Sequence, residues 1–136
     1  MSDLTQAPTT LTNIGAVMFT VADVDAAIAF YTEKLGFELR ADVAFGEHGE
    51  NRWVEVAPPG SVARLSLNPP MGNEPGGGTI GVETSDILGE HARLAGLGLT
   101  DAPPPTDAMP GAPRLFPVQD PDGNHIWVVE VPPADA

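Results

Sequence analysis

Val21-Ala-Asp-Val-Asp25 leads into a helical spacing that ends at Leu35-Gly36-Phe37, and Glu83-Thr-Ser-Asp-Ile87 leads into another that ends at Leu97-Gly98-Leu99. These two stretches decide the fold. Each opens on an aspartate suited to an N-cap (Asp23, Asp86) and closes on glycine, the residue that most readily takes the left-handed conformation after a helix. Between those marks, Val24, Ala27, Ile28, Tyr31 and Leu35 recur at helical spacing, and Ile87, His91 and Leu94 do so more weakly. Arg52-Trp-Val-Glu-Val-Ala-Pro-Pro-Gly60 is likewise echoed by Arg114-Leu-Phe-Pro-Val-Gln-Asp-Pro-Asp-Gly123. Repetition at this distance points to two copies of one α+β unit.

Strand patterns fill the space around the helices. Ile14–Val21, Phe37–Phe45, Arg52–Ala57 and Ala63–Asn68 read as the strands of the first copy. Pro69 to Gly78 is a run of breakers, and Thr79–Thr84 opens the second copy. Leu115–Val118, the turn Asp120-Pro-Asp-Gly123 and His125–Val131 form a closing hairpin. Asp101–Pro113 reads as a long loop holding a short strand. The expected fold is α+β: two βαβββ modules forming a curved, cupped mixed β-sheet with helices on the outer face. Residues 1–12 are expected to be a flexible tail and 13–131 a single domain, with module one at about 13–68, a linker at 69–78 and module two at about 79–131.

Composition narrows the partners. The chain has 136 residues, enough for one core, and a net charge of −13 from 19 acidic and 6 basic residues. Such a surface repels phosphates, which argues against nucleic acid, and it favours cationic small molecules. There is no cysteine, so disulfides and thiolate chemistry are excluded. No apolar run spans a bilayer and the first residues carry no leader pattern, so a cytoplasmic protein with no membrane partner is expected.

Strand parity separates two faces. Val17, Phe19, Val54, Val56, Leu65, Leu67, Ile80, Val82, Ile126 and Val128 form the set expected against the helices. The alternating set, Met18, Thr20, Trp53, Glu55, Arg64, Ser66, Glu83, His125 and Trp127, faces the cup. Met18, Trp53, Glu55, Arg64, Glu83, His125 and Trp127 are the candidate ligand-binding residues. The indoles offer faces to a planar or cationic compound, and the carboxylates offer it counter-charge. Arg64 suits a ligand carboxylate or phenolate, or an internal ion pair with Glu83. His125 is either a hydrogen-bonded structural residue or a proton-transfer group.

Val-x-Asp-x-Asp followed by Phe30-Tyr31 and Leu35-Gly36-Phe37, with Asp120-Pro-Asp-Gly-Asn124 before an apolar strand, resembles the vicinal oxygen chelate superfamily. That superfamily includes glyoxalase I, the bleomycin-resistance proteins and the extradiol dioxygenases. In metal-dependent members the resemblance implies four ligands, typically His, Gln and Glu, on the concave face. The matching places here hold Ala16, Arg64, Thr79 and Trp127. None is a credible ligand, and a guanidinium opposes a divalent cation. His48, His91 and His125 are too scattered to replace them. The expectation is therefore no metal and no cofactor. The resemblance then implies a metal-independent, antibiotic-resistance-type binding protein that sequesters a planar or cationic organic compound as a homodimer. The alternative is a lyase, isomerase or dioxygenase relative using His125, Glu83 or Glu55 as acid or base beside Arg64. Caps, turns and packing residues carry the resemblance, so whether the chain is an enzyme stays open at this point.

Overall fold

Both aspartates cap the helices that their positions announce. Asp23 Oδ1 accepts from Ala26 N at 3.1 Å, and Asp86 Oδ1 accepts from Gly89 N at 3.0 Å. Each such cap contributes about 1 kcal/mol. The structure, a computed structural model, describes residues 7–107 and 109–131. Of the tail expected at 1–12, residues 1–6 lie outside the described residues, and 7–12 are exposed without regular structure.

The elements are β1 (Ala16–Thr20), α1 (Val24–Ala29), a π turn (Phe30–Lys34), β2 (Glu38–Phe45), β3 (Asn51–Ala57), β4 (Arg64–Asn68), β5 (Thr79–Thr84), α2 (Ile87–Gly96), β6 (Leu115–Gln119) and β7 (His125–Glu130). The first helix is thus shorter than its spacing suggests. At Phe30 it widens, and Leu35 N donates to Phe30 O, five residues back, at 3.2 Å. The wider turn lets two adjacent aromatics, Phe30 and Tyr31, both sink into the core, with ring centroids 5.1 Å apart and edge-to-face.

The α+β, two-module architecture is as expected, with two differences. The strands form two sheets, in the orders β1-β4-β3-β2 and β5-β7-β6. In each, the opening strand runs parallel to the closing one and the remaining pairs are antiparallel. The second module is also one strand short, because no described residue of Asp101–Pro113 is in a strand. Five prolines lie in that segment, and each lacks the N–H that a sheet ladder needs.

One core serves both modules. Phe19, Val54, Val56, Leu65 and Leu67 from the first sheet are buried with Phe116, Val118, Ile126 and Val128 from the second. Ile80 and Val82 pack against that cluster while remaining partly open, and Val17 is 36% exposed.

A polar latch joins the modules at one end. Tyr31 Oη donates to Asp120 Oδ2 at 2.8 Å, and Asn124 Nδ2 donates to the same oxygen at 2.9 Å. Asn124 Nδ2 also reaches Thr20 O, while Asn124 Oδ1 accepts from Gly78 N at 2.9 Å. Ala22 N donates to Asp122 Oδ1 at 3.1 Å. Burial, reinforced by the neighbouring Asp120 carboxylate, pushes the Tyr31 hydroxyl well above the ordinary phenol range. The Asp120–Asn124 turn therefore ties the second module to the first, as well as closing its own hairpin.

Candidate functional site

Register puts the predicted cup residues of the first sheet on one face. Ser66 lies opposite both Met18 and Glu55, and Arg64 lies opposite Ala16. Met18 is 60% exposed, Trp53 is half-buried, and Ser66 is fully buried beneath its neighbours. Two further residues belong to this face and were missed by parity. Val43 lies opposite Trp53, and Phe45 continues the same side of β2; both are about half exposed. Strict alternation from the buried Phe37 would send them into the core. A register shift between Leu39 and Ala41 turns them outward instead.

On the second sheet, His125 lies between Thr79 and Gln119, and Trp127 lies between Gly81 and Pro117. His125 Nε2 is 3.1 Å from Gln119 Nε2. A cavity of about 610 Å³ lies against this face, with Pro117, Gln119, His125 and Trp127 on one side and Leu99, Thr100 and Asp101 on the other. The long loop therefore begins at the rim of this cavity. Arg114 anchors that loop further along, donating to Pro105 O at 3.3 Å while its guanidinium grips Glu130. This bond holds the Glu130 carboxyl below its usual range. Thr100, Asp101 and Gln119 had no signal in the strand pattern, since two of them lie in a loop and Gln119 in a hairpin end.

A second cavity, of about 650 Å³, lies between the modules. Val17, Val56, Arg64 and Leu65 line it from the first, and Ile80, Val82 and Glu83 from the second. Of the two roles open to Arg64, the internal ion pair forms with a partner other than Glu83. Arg64 Nε stands 3.3 Å from Glu55 Oε1, its diagonal neighbour on the same sheet face. Residues across a sheet ladder are held within reach by the strands, whereas Glu83 sits on a separate sheet.

The seven candidate binding residues are thus not one group within a single chain. His125 and Trp127 share one cavity, and Arg64 and Glu83 share the other. Met18, Trp53 and Glu55 occupy the open face of the first sheet. No hydrogen bond or ion pair among the described residues joins that face to His125 or Trp127.

The donor set at the family's ligand places does not fit a divalent metal. Ala16 and Arg64 are register partners, and Thr79 and Trp127 share a face of the other sheet, so these places offer a methyl, a guanidinium, a hydroxyl and an indole. Among the described residues, no group of three or more His, Cys, Asp or Glu could hold a metal ion. His48 is exposed in a turn. His91 is buried, with Nε2 2.7 Å from Ala102 O and its ring edge-to-face with Phe116. Among the described residues, no helix is long and apolar enough to cross a membrane.

Known proteins share this architecture. The sequence profile of the Glyoxalase/Bleomycin resistance protein/Dioxygenase superfamily matches residues 13–128. The Bacillus subtilis protein YetH is 34% identical over 120 residues, covering 86% of this chain and 97% of its own length. A crystal structure of a superfamily member from Sphaerobacter thermophilus is 32% identical with a TM-score of 0.79, covering 90% of this chain and 100% of its own. TnmS3, an antibiotic binding protein from Streptomyces sp. CB03234, is 31% identical with a TM-score of 0.77, covering 90% of this chain and 98% of its own. With caps, paired modules and closing turn all in place, the chain belongs to the Glyoxalase/Bleomycin resistance protein/Dioxygenase superfamily.

Proposed function

We propose that this chain is a metal-independent binding protein that sequesters a planar, cationic organic compound in its cup. The observation that carries the reading is Trp127. An indole stands where metal-dependent relatives are expected to carry a ligand, and it lines a cavity with His125, Gln119 and Asp101. An aromatic face beside a carboxylate suits a flat cation, and the −13 net charge draws such a molecule in. The relative TnmS3, an antibiotic binding protein, supports a role in binding a small organic compound.

A homodimer completes the cup in this reading. The open face bearing Met18, Val43, Phe45 and Trp53 from one copy covers the His125 and Trp127 face of the other. Apolar exposure on that first face supports this, since side chains of this size are about half exposed there. The enzymatic alternative needs His125, Glu83 or Glu55 as acid or base beside Arg64, and His125 does not stand there. Within one chain His125 and Arg64 line two different cavities.

The test combines metal and ligand titrations. Zn²⁺, Ni²⁺, Mn²⁺ and Fe²⁺, the last under anaerobic conditions, are expected to leave the melting temperature of EDTA-stripped protein unchanged. A planar cationic dye such as proflavine is expected to raise it and to quench indole fluorescence saturably. Trp127→Ala is expected to weaken dye binding roughly tenfold, the equivalent of about 1.4 kcal/mol. A saturable rise with one metal overturns the reading, as does dye binding that Trp127→Ala leaves intact.

A further inference from the structure

The cleft between the modules is built differently from the cup. Val17, Phe37, Val56, Ile80 and Val82 line it, and the cavity holds about 650 Å³, within the range of small-molecule sites. Val17, Ile80 and Val82 carry the alternation of interior positions yet are only partly covered. Water against such a wall is unfavourable, and an apolar occupant would remove that cost.

One charged group in this cleft is unlike its counterparts. Arg40 donates to Glu38 and to two backbone carbonyls, Arg52 to Asp42, Arg93 to Glu90 and two carbonyls, and Arg114 to Glu130 and Pro105. The Arg64 guanidinium makes no hydrogen bond to a described residue. Its Nε is buried without a partner, since Glu55 Oε1 at 3.3 Å gives charge contact without hydrogen-bond alignment. The side chain as a whole remains 42% exposed, so its outer nitrogens are open to a ligand. A guanidinium can hold two carboxylates at once. Arg52 does so here, with Asp42 on Nε and Nη2 and Asp25 at 2.8 Å from Nη2.

We propose that this cleft is a second binding site, for an apolar monocarboxylate. The hydrocarbon lies along the Val17, Ile80 and Val82 wall, and the carboxylate takes the outer nitrogens of Arg64 in a forked pair. The chain's net charge of −13 opposes an anion, so the site depends on the local Arg64 guanidinium for its counter-charge. Glu83, the other charged lining residue, is exposed and opposes the carboxylate locally. This site goes beyond the dye-binding cup, and the two readings fail separately.

Calorimetry of the full chain with octanoate, and with octylammonium as a probe of equal length and opposite charge, tests it. Octanoate is expected to bind once per chain and at least tenfold more tightly than octylammonium. Arg64→Gln should weaken octanoate at least tenfold, and Arg64→Lys, which keeps the charge and loses the fork, severalfold. Val17→Trp, placed on an edge strand to fill the cleft, should abolish binding. Glu83→Gln should tighten it, and Trp127→Ala should leave it unchanged. Melting curves establish that each variant is folded, and the lysine variant stands in if the glutamine one is not. Equal binding of both probes, indifference to Arg64 substitution, or loss on Trp127→Ala overturns the proposal. So does the absence of saturable octanoate binding by the folded chain, as when a second copy fills the cleft.

Discussion

Tyr31 joins the modules through one phenolic hydrogen bond to a buried carboxylate, Asp120, at 2.8 Å. A bond to a charged acceptor contributes about 1.5–3 kcal/mol, so Tyr31→Phe should lower stability by that amount at neutral pH. The pH dependence has a definite sign. Burial and Asp120 raise the Tyr31 pKa in the folded chain. Below about pH 10 the phenol keeps its proton in both states, and the contribution is fully present. Above it the unfolded chain releases the proton while the folded chain retains it, so stability falls as pH rises. Tyr31 is the sole tyrosine, which makes the effect assignable. Urea unfolding between about pH 8 and pH 11.5 should show wild type losing its advantage over Tyr31→Phe. Parallel curves for the two proteins would contradict this account of the latch.

Elements were legible wherever a local chemical signal marks their ends. Asp86 and Gly98 frame α2, and β5 spans Thr79–Thr84 as its alternation indicates. Three features were not legible, each for a physical reason. The π turn depends on two aromatics competing for one core. The shift in β2 depends on its partner strand. The missing strand of module two reflects a proline-rich segment whose prolines cannot donate to a sheet ladder. Where β5 begins, Gly78 shows how tightly the elements meet. A Cβ there would stand 2.5 Å from the Phe19 ring and 2.9 Å from Asn124 Oδ1. Phe19 is buried and cannot swing away. Gly78→Ala should therefore cost about 1–3 kcal/mol by overpacking. Adding Phe19→Leu should recover part of that loss, giving a non-additive double-mutant cycle in chemical denaturation. Additive losses would place the clash elsewhere.

At the scale of the whole molecule, parity identified which side chains face away from the core, but not which of them face each other. Parity assigns all of them to one cup, whereas the register sets Met18, Trp53 and Glu55 on a face of one sheet and His125 and Trp127 on a face of the other. Their meeting depends on how modules dock, and within one chain the latch and the shared core bring the opposite faces of the sheets together. A cup built from both faces then requires sheets from two copies, which makes the proposed dimer open to a complementation test. A Trp53→Ala chain lacks the first wall and a Trp127→Ala chain lacks the second, so each homodimer should bind proflavine weakly at both cups. Mixed dimers, formed by unfolding and refolding the two chains together, carry both lesions in one cup and neither in the other. Dye binding at wild-type affinity should therefore reappear in the mixture, at one site per mixed dimer. If the walls came from the same chain, every cup would keep one lesion and mixing would restore nothing.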